Sequence, residues 1–267
     1  MTIKKGILQG AIVTKERIVQ DLKQLGLKKG MTIIVHSSLS SLGWVCGREK
    51  AVIDAIMEVV TEEGTIIMPA QSADNSDPQY WQNPPVPRDW WETIRNSIPP
   101  FDPATTPTWG IGRIAEAFRT YPSVLRSAHP IHSFSGWGKE ASAVLASHPL
   151  DFSLGDESPL GRLYERDSYI LLLGVGYDSC TAMHLAEHKL PNRKIETQTS
   201  AILENGHRVW KTYQLIEMDD EQFPAIGEAF EKKASISVGK VGCAKAKLVP
   251  LRPLVDFTFE YLMNKHT

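Results

Sequence analysis

The sequence predicts an α/β domain built around a mixed sheet. Helical and extended patterns alternate over the first third of the chain, which is typical of an α/β fold. The last third carries Asn205-Gly206 between two long extended segments, a strong signal for an antiparallel hairpin. The 267 residues are 42% hydrophobic and 22% charged, which allows a sizeable core. Because no repeat or linker interrupts the chain, we expect a single domain over residues 1–267.

The first third predicts two helices and two strands in alternation. Apolar residues at helical spacing follow Thr14, a good N-cap residue, and Gly26 ends that helix. A buried strand is predicted over 31–36, a second amphipathic helix over 52–60, and a second strand over 65–68, before a proline. These elements are the beginning of an α/β sheet.

The pattern breaks down over residues 74–103. Seven of these residues are proline, and three of the chain's seven tryptophans lie here, interspersed with carboxylates. Such a long loop in a compact domain is usually functional. We therefore expect this Pro- and Trp-rich segment to form part of an active site.

The remaining elements follow along the chain. The patterns predict a helix over 112–120, an extended segment around Phe134, a helix over 139–146, a strand over 169–173 and a helix after Asp178. The hairpin strands cover 195–204 and 208–216, and they are the reason for expecting a mixed sheet. The chain ends with a helix over 221–233, extended segments around Val238 and Leu248, and a helix over 253–263.

Composition argues against several classes of protein. The 29 Lys and Arg nearly balance the 31 Asp and Glu, so no basic surface for nucleic acid is expected. Three scattered cysteines are too few for a disulfide framework or a four-thiolate metal site. Residues 1–15 show no signal peptide, and the most apolar run, 169–177, is far shorter than the ~20 residues of a membrane span. We therefore expect a cytoplasmic protein whose partners include neither a membrane nor a nucleic acid.

Two segments have the composition of anion sites. The run His36-Ser37-Ser38-Leu39-Ser40-Ser41-Leu42-Gly43 joins a strand to a helix, where amides and hydroxyls can bind a phosphate or diphosphate. The alternative is an ordinary serine-rich turn with local hydrogen bonds. The run Gly110-Ile-Gly112-Arg-Ile-Ala115 imitates a dinucleotide fingerprint. Since Pro107 stands where a buried strand is needed, we reject a Rossmann site.

The segment His184-Leu-Ala-Glu187-His188 is open to several interpretations. It matches an inverted zinc-peptidase motif, with both histidines as ligands and Glu187 as the base, although the sequence marks no third ligand. Alternatively, His184 is a general base that Asp178 and Glu187 orient. A nucleophilic pair of Cys180 with His184 and a purely structural histidine also stay open.

Six ordered motifs run through the chain. They are His36-Ser37-Ser38-Leu39 with Leu42-Gly43, Met68-Pro69 followed by Ser72, Thr106-Pro107-Thr108 ahead of Gly112, His129-Pro130 with Ser133-Phe134, Gly155 with Ser158-Pro159-Leu160, and Asp178 followed by His184-Leu-Ala186-Glu187. In this order, over almost the whole chain, they resemble the aminoglycoside 3-N-acetyltransferase family, a group of antibiotic acetyltransferases distinct from the Gcn5-like enzymes.

The resemblance implies a three-layer α/β/α sandwich and transfer of an acetyl group from acetyl-CoA to the 3-amino group of a 2-deoxystreptamine ring. It also implies that the stretch matched by Ser37 to Leu39 binds the CoA diphosphate and that His184 is the catalytic base. The 74–103 segment is longer and richer in tryptophan than in many drug-modifying members. The expected acceptor is therefore an aminoglycoside or a related amine.

These arguments give a set of expected site residues. The catalytic residues are His184, Asp178 and Glu187. The residues expected to bind acetyl-CoA are His36, Ser37, Ser38, Leu39, Gly43, Ser72, Thr108 and Gly112. The residues expected to bind the amine are Asp74, Asp77, His129, Asp156, Glu157 and Glu204. No metal is expected, and a homodimer is a possible assembly. The alternatives to an acetyltransferase are a zinc peptidase and a non-catalytic CoA-binding relative.

Overall fold

Within residues 11–265, which the computed structural model describes, strands and helices alternate along the chain. The strands are β1 (Ile12–Val13), β2 (Thr32–Ser37), β3 (Trp44–Val45), β4 (Thr65–Pro69), β5 (Leu125–Arg126), β6 (Phe134–Gly138), β7 (Ser168–Leu173), β8 (Ile195–Glu204), β9 (His207–Ile216), β10 (Ser237–Val241) and β11 (Ala244–Pro250). The helices are α1 (Lys15–Leu25), α2 (Arg48–Val60), α3 (Trp91–Ser97), α4 (Arg113–Arg119), α5 (Ala141–Leu145), α6 (Pro159–Tyr164), α7 (His184–Lys189), α8 (Phe223–Lys233) and α9 (Leu251–Lys265). Most of the 1–15 segment, in which no signal peptide is expected, lies outside the described residues.

Seven strands form the central sheet in the order β10-β11-β7-β2-β4-β6-β5. Its middle, β4-β2-β7, is parallel, and antiparallel pairs flank it on both sides. The predicted mixed sheet is confirmed, but the hairpin is not its cause, because β8 and β9 form a separate two-stranded sheet. Most of their side chains are exposed or half-buried, whereas strands between two helical layers are apolar on both faces.

Helices cover both faces of the central sheet. Ile33 and Val35 of β2 pack in one core with α1, α2 and α4. Ile34, between them in sequence, packs on the opposite face in a second core with α5 to α9. This alternation is the two-residue period of a strand, and it confirms the three-layer α/β/α sandwich. No helix within residues 11–265 has the length and apolar character needed to cross a membrane.

The predicted ends of the first helix are confirmed. The Arg17 amide donates to Thr14 Oγ1 at 3.3 Å, which caps the amino end of α1. Gly26 ends the helix with φ of 103°, a left-handed conformation that glycine adopts without a side-chain clash.

Two other helices differ from the prediction. The sequence does not reveal α6, because six residues are too few to show a helical period. The signal that was present is Ser158, whose Oγ accepts the Leu160 amide at 3.1 Å, followed by proline at the first helical position. The helix expected after Asp178 begins only at His184, because short 3₁₀ turns occupy the residues between them.

Residues 74–103 pack along β8 and β9, and we call this assembly the loop–hairpin unit. The Phe101 amide donates to Ala201 O at 2.8 Å, and the Tyr80 hydroxyl donates to Thr197 O at 2.7 Å. The loop contains one short α-helix, α3, and short 3₁₀ turns that the many prolines concealed in the sequence. The loop is therefore attached to the hairpin rather than held only by its own aromatic side chains.

Candidate active site

A cleft of about 760 Å³ opens at the carboxyl ends of the parallel strands. His36 and Ser37 at the end of β2, Pro69 at the end of β4 and Val175 just after β7 all line it. Since β4 and β7 lie on opposite sides of β2, the connections to them leave a crevice above the middle strand. Ligands of open α/β sheets bind in such crevices.

The serine-rich turn forms one wall of the cleft, with Ser38, Leu39, Ser40 and Gly43 among the lining residues. The Ser41 Oγ donates to Ser38 Oγ at 2.9 Å, and the Ser40 Oγ lies 3.1 Å from the same atom. The local hydrogen bonds of an ordinary serine-rich turn are thus present. They also hold three hydroxyl groups together beside the cleft.

Residues 110–113 form a second wall. Gly112 has φ of 84°, and a Cβ at this position would lie 3.8 Å from Ser37 O, so the missing side chain leaves space between the two walls. Arg48 and Arg113 also line the cleft, and their side chains are 64% and 62% exposed. The sequence did not mark Arg48, because nothing distinguishes it from an ordinary surface arginine at a helix start.

His184 and Glu187 form a hydrogen-bonded pair on α7. The His184 Nδ1 lies 2.5 Å from Glu187 Oε2, as i,i+3 spacing on one helix face allows. Because a carboxylate only accepts hydrogen bonds, Nδ1 carries the proton and donates it. The other carboxylate oxygen, Glu187 Oε1, accepts the Asp219 amide at 2.9 Å. His184 lines the cleft, and its second ring nitrogen, Nε2, takes no part in this pair.

The two sides of the cleft carry opposite charges. Arg48 and Arg113 begin α2 and α4, which belong to one helical layer. Asp178 and Asp220 precede α7 and α8, which belong to the other layer. All four residues line the cleft. The cleft therefore has a cationic side and an anionic side, and His184 lies with the anionic residues.

His36 is a neutral side chain in the cleft. It is buried, and its Nε2 has no hydrogen-bond partner among residues 11–265. Burial, with His184 nearby, lowers the pKa of His36 to about 3. A neutral imidazole does not attract phosphate by charge, so a contact that His36 makes with a ligand is a hydrogen bond.

The geometry favours the general-base interpretation of the His184 segment. Burial raises the pKa of the Cys180 thiol to about 12, so the thiol stays protonated instead of forming a nucleophilic thiolate. His188 is buried beside Gly155 and does not line the cleft. In the described part of the chain, no three histidine, cysteine or carboxylate side chains are grouped to hold a metal ion.

Ser72 and Thr108 do not line this cleft. Ser72 is fully buried, and its hydroxyl donates to Pro107 O at 2.8 Å. Thr108 donates from its amide and its hydroxyl to Glu116 Oε2, at 2.8 and 2.7 Å, in a smaller adjoining pocket. Each side chain is committed to a neighbouring group, so both shape the segment before Gly112 without reaching the cleft.

Two aspartates of the 74–103 loop have different environments. The Asp77 carboxylate is buried and accepts hydrogen bonds from Arg95 at 2.8 and 2.9 Å and from Thr199 at 2.9 Å. Although burial opposes it, the hydrogen bonds from Arg95 hold the pKa of Asp77 below its usual value. Asp77 thus attaches the loop to β8 and has no oxygen available for an amine. Asp74 is half-buried, burial raises its pKa, and its Oδ1 has no partner among the described residues.

None of the six candidates for amine binding, Asp74 and Asp77 included, lines the cleft. His129 is fully buried and its ring nitrogens bond to main-chain atoms, which corrects the prediction that it contacts the acceptor. Asp156 and Glu204 each pair with a nearby lysine at 2.6 Å, and Glu157 is exposed. Charge selected the three carboxylates, and charge does not indicate which surface a residue faces.

The fold and the cleft define an α/β enzyme that acts on a small molecule at the ends of its parallel strands. The model of the family described as aminoglycoside 3-N-acetyltransferase matches residues 34–263. The chain belongs to this family of acyltransferases.

Known relatives cover nearly all of the chain. The SPbeta prophage-derived aminoglycoside N(3')-acetyltransferase-like protein YokD of Bacillus subtilis (strain 168) is 53% identical, over 94% of this chain and 93% of that protein. Its crystal structure has a TM-score of 0.95 and covers 96% of both chains. Aminoglycoside N(3)-acetyltransferase IX of Micromonospora chalcea is 32% identical, over 96% of this chain and 95% of that protein. The structure of AAC-IIIb in binary complex with CoASH is 27% identical, covers 96% of this chain and 98% of that one, and has a TM-score of 0.85. The resemblance seen in the sequence is confirmed, together with the classification as an acetyl-CoA-dependent acetyltransferase.

Proposed function

We propose that the protein transfers the acetyl group of acetyl-CoA to an aminoglycoside or a related amine. In an aminoglycoside, the group that is acetylated is the 3-amino group of the 2-deoxystreptamine ring. The observation that carries this proposal is the His184–Glu187 pair in a cleft with one cationic and one anionic side. A bisubstrate transferase must bind an anionic nucleotide and a cationic amine with a base between them. This cleft supplies all three features.

The cationic side fits coenzyme A. Phosphate oxygens accept hydrogen bonds, and of Ser38 and Ser40 on the cleft wall one hydroxyl donates to the other, which leaves the second hydroxyl as a donor for a ligand. Arg113 is held by Glu49 at 2.9 Å, and the guanidinium retains other N–H groups for a phosphate. Gly112 brings its backbone close to Ser37 without a side chain that would narrow the cleft between the two walls. When bound, acetyl-CoA supplies a thioester whose carbonyl carbon is open to attack by an amine.

The anionic side fits a polycationic acceptor. Asp178 and Asp220 are exposed in the cleft, and ammonium groups form strong charge-assisted hydrogen bonds with carboxylates. Asp74 does not itself line the cleft, but it lies three residues after the lining residue Gln71, and its buried Oδ1 has no partner among the described residues. We infer that the loop–hairpin unit forms the wall against which the acceptor packs.

His184 acts as the general base. At neutral pH the acceptor amine is mostly an ammonium ion, which must lose a proton before its nitrogen attacks. His184 accepts that proton at Nε2, since Nδ1 is engaged with Glu187. The Glu187 carboxylate stabilises the imidazolium that results, as a carboxylate does in other histidine bases.

Transfer is direct, within a complex that holds both substrates. The Cys180 thiol is buried, does not line the cleft and stays protonated, so we expect no acetyl-Cys180 intermediate. The Thr181 hydroxyl lies in the cleft just before α7 and is placed to donate a hydrogen bond to negative charge on the carbonyl oxygen.

A thiol-release assay with acetyl-CoA and a panel of aminoglycosides and other polyamines tests the proposal. We expect amine-dependent release of CoA that is lost in the His184→Ala variant and retained in Cys180→Ser. Binding of CoA without turnover of any amine would instead identify a non-catalytic relative. The homodimer and the cytoplasmic location stay predictions, which light scattering and cell fractionation would test.

A further inference from the structure

The turn between β9 and α8 contacts both members of the His184–Glu187 pair. Asp219, within this connection, donates its main-chain amide to Glu187 Oε1 at 2.9 Å. Phe223, the first residue of α8, packs its ring with its centroid 4.9 Å from that of the His184 ring. We call residues 219–223, the end of the connection and the start of α8, the Asp219 turn. The histidine and the carboxylate are therefore each held by a different residue of one short segment.

The Asp219 turn is fixed by its own hydrogen bonds. The Asp219 Oδ1 accepts the Glu221 amide at 2.9 Å, an Asx-type bond that sets the direction of the intervening peptides. The Asp220 carbonyl accepts the Phe223 amide at 3.0 Å. The Asp219 side chain is exposed, so its contribution is the geometry of the turn and not the packing of the core.

We propose that the Asp219 turn is a positioning element for the catalytic base, in which Asp219 fixes the carboxylate of Glu187 and thereby the ring of His184. This inference rests on the proposed function. A Glu side chain that is bonded at one oxygen only can rotate its carboxylate, and the 2.5 Å contact with His184 Nδ1 depends on that orientation. A loss of alignment of about 1 Å at a reacting group is enough to cost up to ~100-fold in rate.

The same turn connects the base to the acceptor side of the cleft. Asp220 lines the cleft between the two residues that hold the base. Two residues separate the turn from the end of β9, and β9 pairs along its full length with β8, to which Asp77 attaches the 74–103 loop. A correctly placed acceptor therefore contacts the element that aligns the base.

Three variants separate the geometry of the turn from its charge. Asp219→Ala removes the bond to the Glu221 amide. Asp219→Asn keeps an oxygen that accepts this bond, and Glu221→Ala removes a neighbouring exposed charge but leaves the bond intact. For each variant we would measure kcat, KM for acetyl-CoA, the thermal unfolding midpoint and the proton NMR resonance of His184 Nδ1–H. A short bond from an N–H to a carboxylate moves that resonance to low field.

We expect Asp219→Ala to lower kcat about tenfold with KM for acetyl-CoA unchanged, and to shift the Nδ1–H resonance away from low field. Asp219→Asn and Glu221→Ala should behave like the unmodified protein. Wild-type kcat and resonance in Asp219→Ala would overturn the proposal, as would an equal loss in Glu221→Ala. A loss of kcat without a change in the resonance would indicate a merely structural role and would overturn it too. The resonance tests the turn even if no amine is acetylated, which would refute the proposed function alone.

Discussion

Lowering the pH from 7 to 5 should destabilise the protein by several kcal/mol, because buried histidines are held neutral in the folded state. Burial lowers the pKa of His36 and His132 to about 3 and that of His148 to about 4, and it lowers the pKa of His129 well below its usual value. In the unfolded chain each histidine titrates near ~6.5. The unfolded state therefore binds protons first, and stability that is complete above about pH 6.5 is lost as the pH falls towards the folded-state values.

The magnitude follows from the size of these shifts. Each unit of pH between the unfolded and folded pKa values costs about 1.4 kcal/mol per histidine. Going from about pH 6.5 to 5 therefore costs about 2 kcal/mol each, or about 6 kcal/mol for His36, His132 and His148 together. This is comparable with the whole stability of a typical domain, about 5–15 kcal/mol. The Asp77 carboxylate, whose pKa is lowered, loses its stabilising effect only at a lower pH and does not mimic this loss.

Urea unfolding at pH 7, 6 and 5 measures the effect, and a single variant locates it. His148 donates from Nε2 to Ser153 O at 2.7 Å and accepts from the Ser127 hydroxyl at 2.9 Å. The variant His148→Gln keeps a donor but has no proton to bind, so the slope of stability against pH should fall by about 1 kcal/mol per unit. The exposed His207, replaced by Gln, is the matched control. A change of less than about 1 kcal/mol between pH 7 and 5 would refute the reasoning.

Four further predictions concern the cleft and its walls. His184→Ala should lower kcat by ~10²-fold or more but leave CoA affinity unchanged in calorimetry, and near-normal turnover would exclude it as the base. Ser38→Pro should raise KM for acetyl-CoA in steady-state kinetics, and an unchanged value would place CoA elsewhere. Asp74→Asn should raise KM for the acceptor about tenfold with kcat retained, whereas unaltered acceptor kinetics would remove Asp74 from the amine site. Asp77→Ala should weaken the loop–hairpin unit by roughly 2 kcal/mol, because Arg95 loses its buried partner. Limited proteolysis should then cut residues 74–103 faster than in the exposed control Asp89→Ala. Equal rates would show that the Asp77 hydrogen bonds do not hold the loop on the hairpin.

The sequence patterns predicted the main helices and strands but not the smaller elements, and the three layers were implied by the family resemblance. Strands β2 and β7 and helices α1 and α2 were predicted because their apolar periods and end signals are local and long enough to recognise. The hairpin was also predicted, since Asn205-Gly206 specifies its turn. Its separation from the central sheet depends on which surface its strands face, and no local signal encodes that choice.

The same distinction applies to the site. The His184–Glu187 pair could be predicted because both residues lie on one helical turn. The Asp219 amide is 32 residues away, and only the fold brings it to Glu187. The prediction that Asp77 faces an amine failed because its partner is also distant in sequence. Thr199 lies 122 residues away, so the sequence shows a free carboxylate where the structure has a buried, hydrogen-bonded one.

The proposed arrangement separates the chemistry from the choice of acceptor. The proposed base lies on α7 and the serine-rich wall lies at the end of β2, and both belong to the α/β/α sandwich. The inferred acceptor wall belongs to the loop–hairpin unit, which has its own two-stranded sheet and its own buried, hydrogen-bonded carboxylate, Asp77. Under the proposed function, changes in the 74–103 loop would alter which amine fits without disturbing His184. The Asp219 turn is a link that such changes must leave intact, because it extends from the hairpin to Glu187.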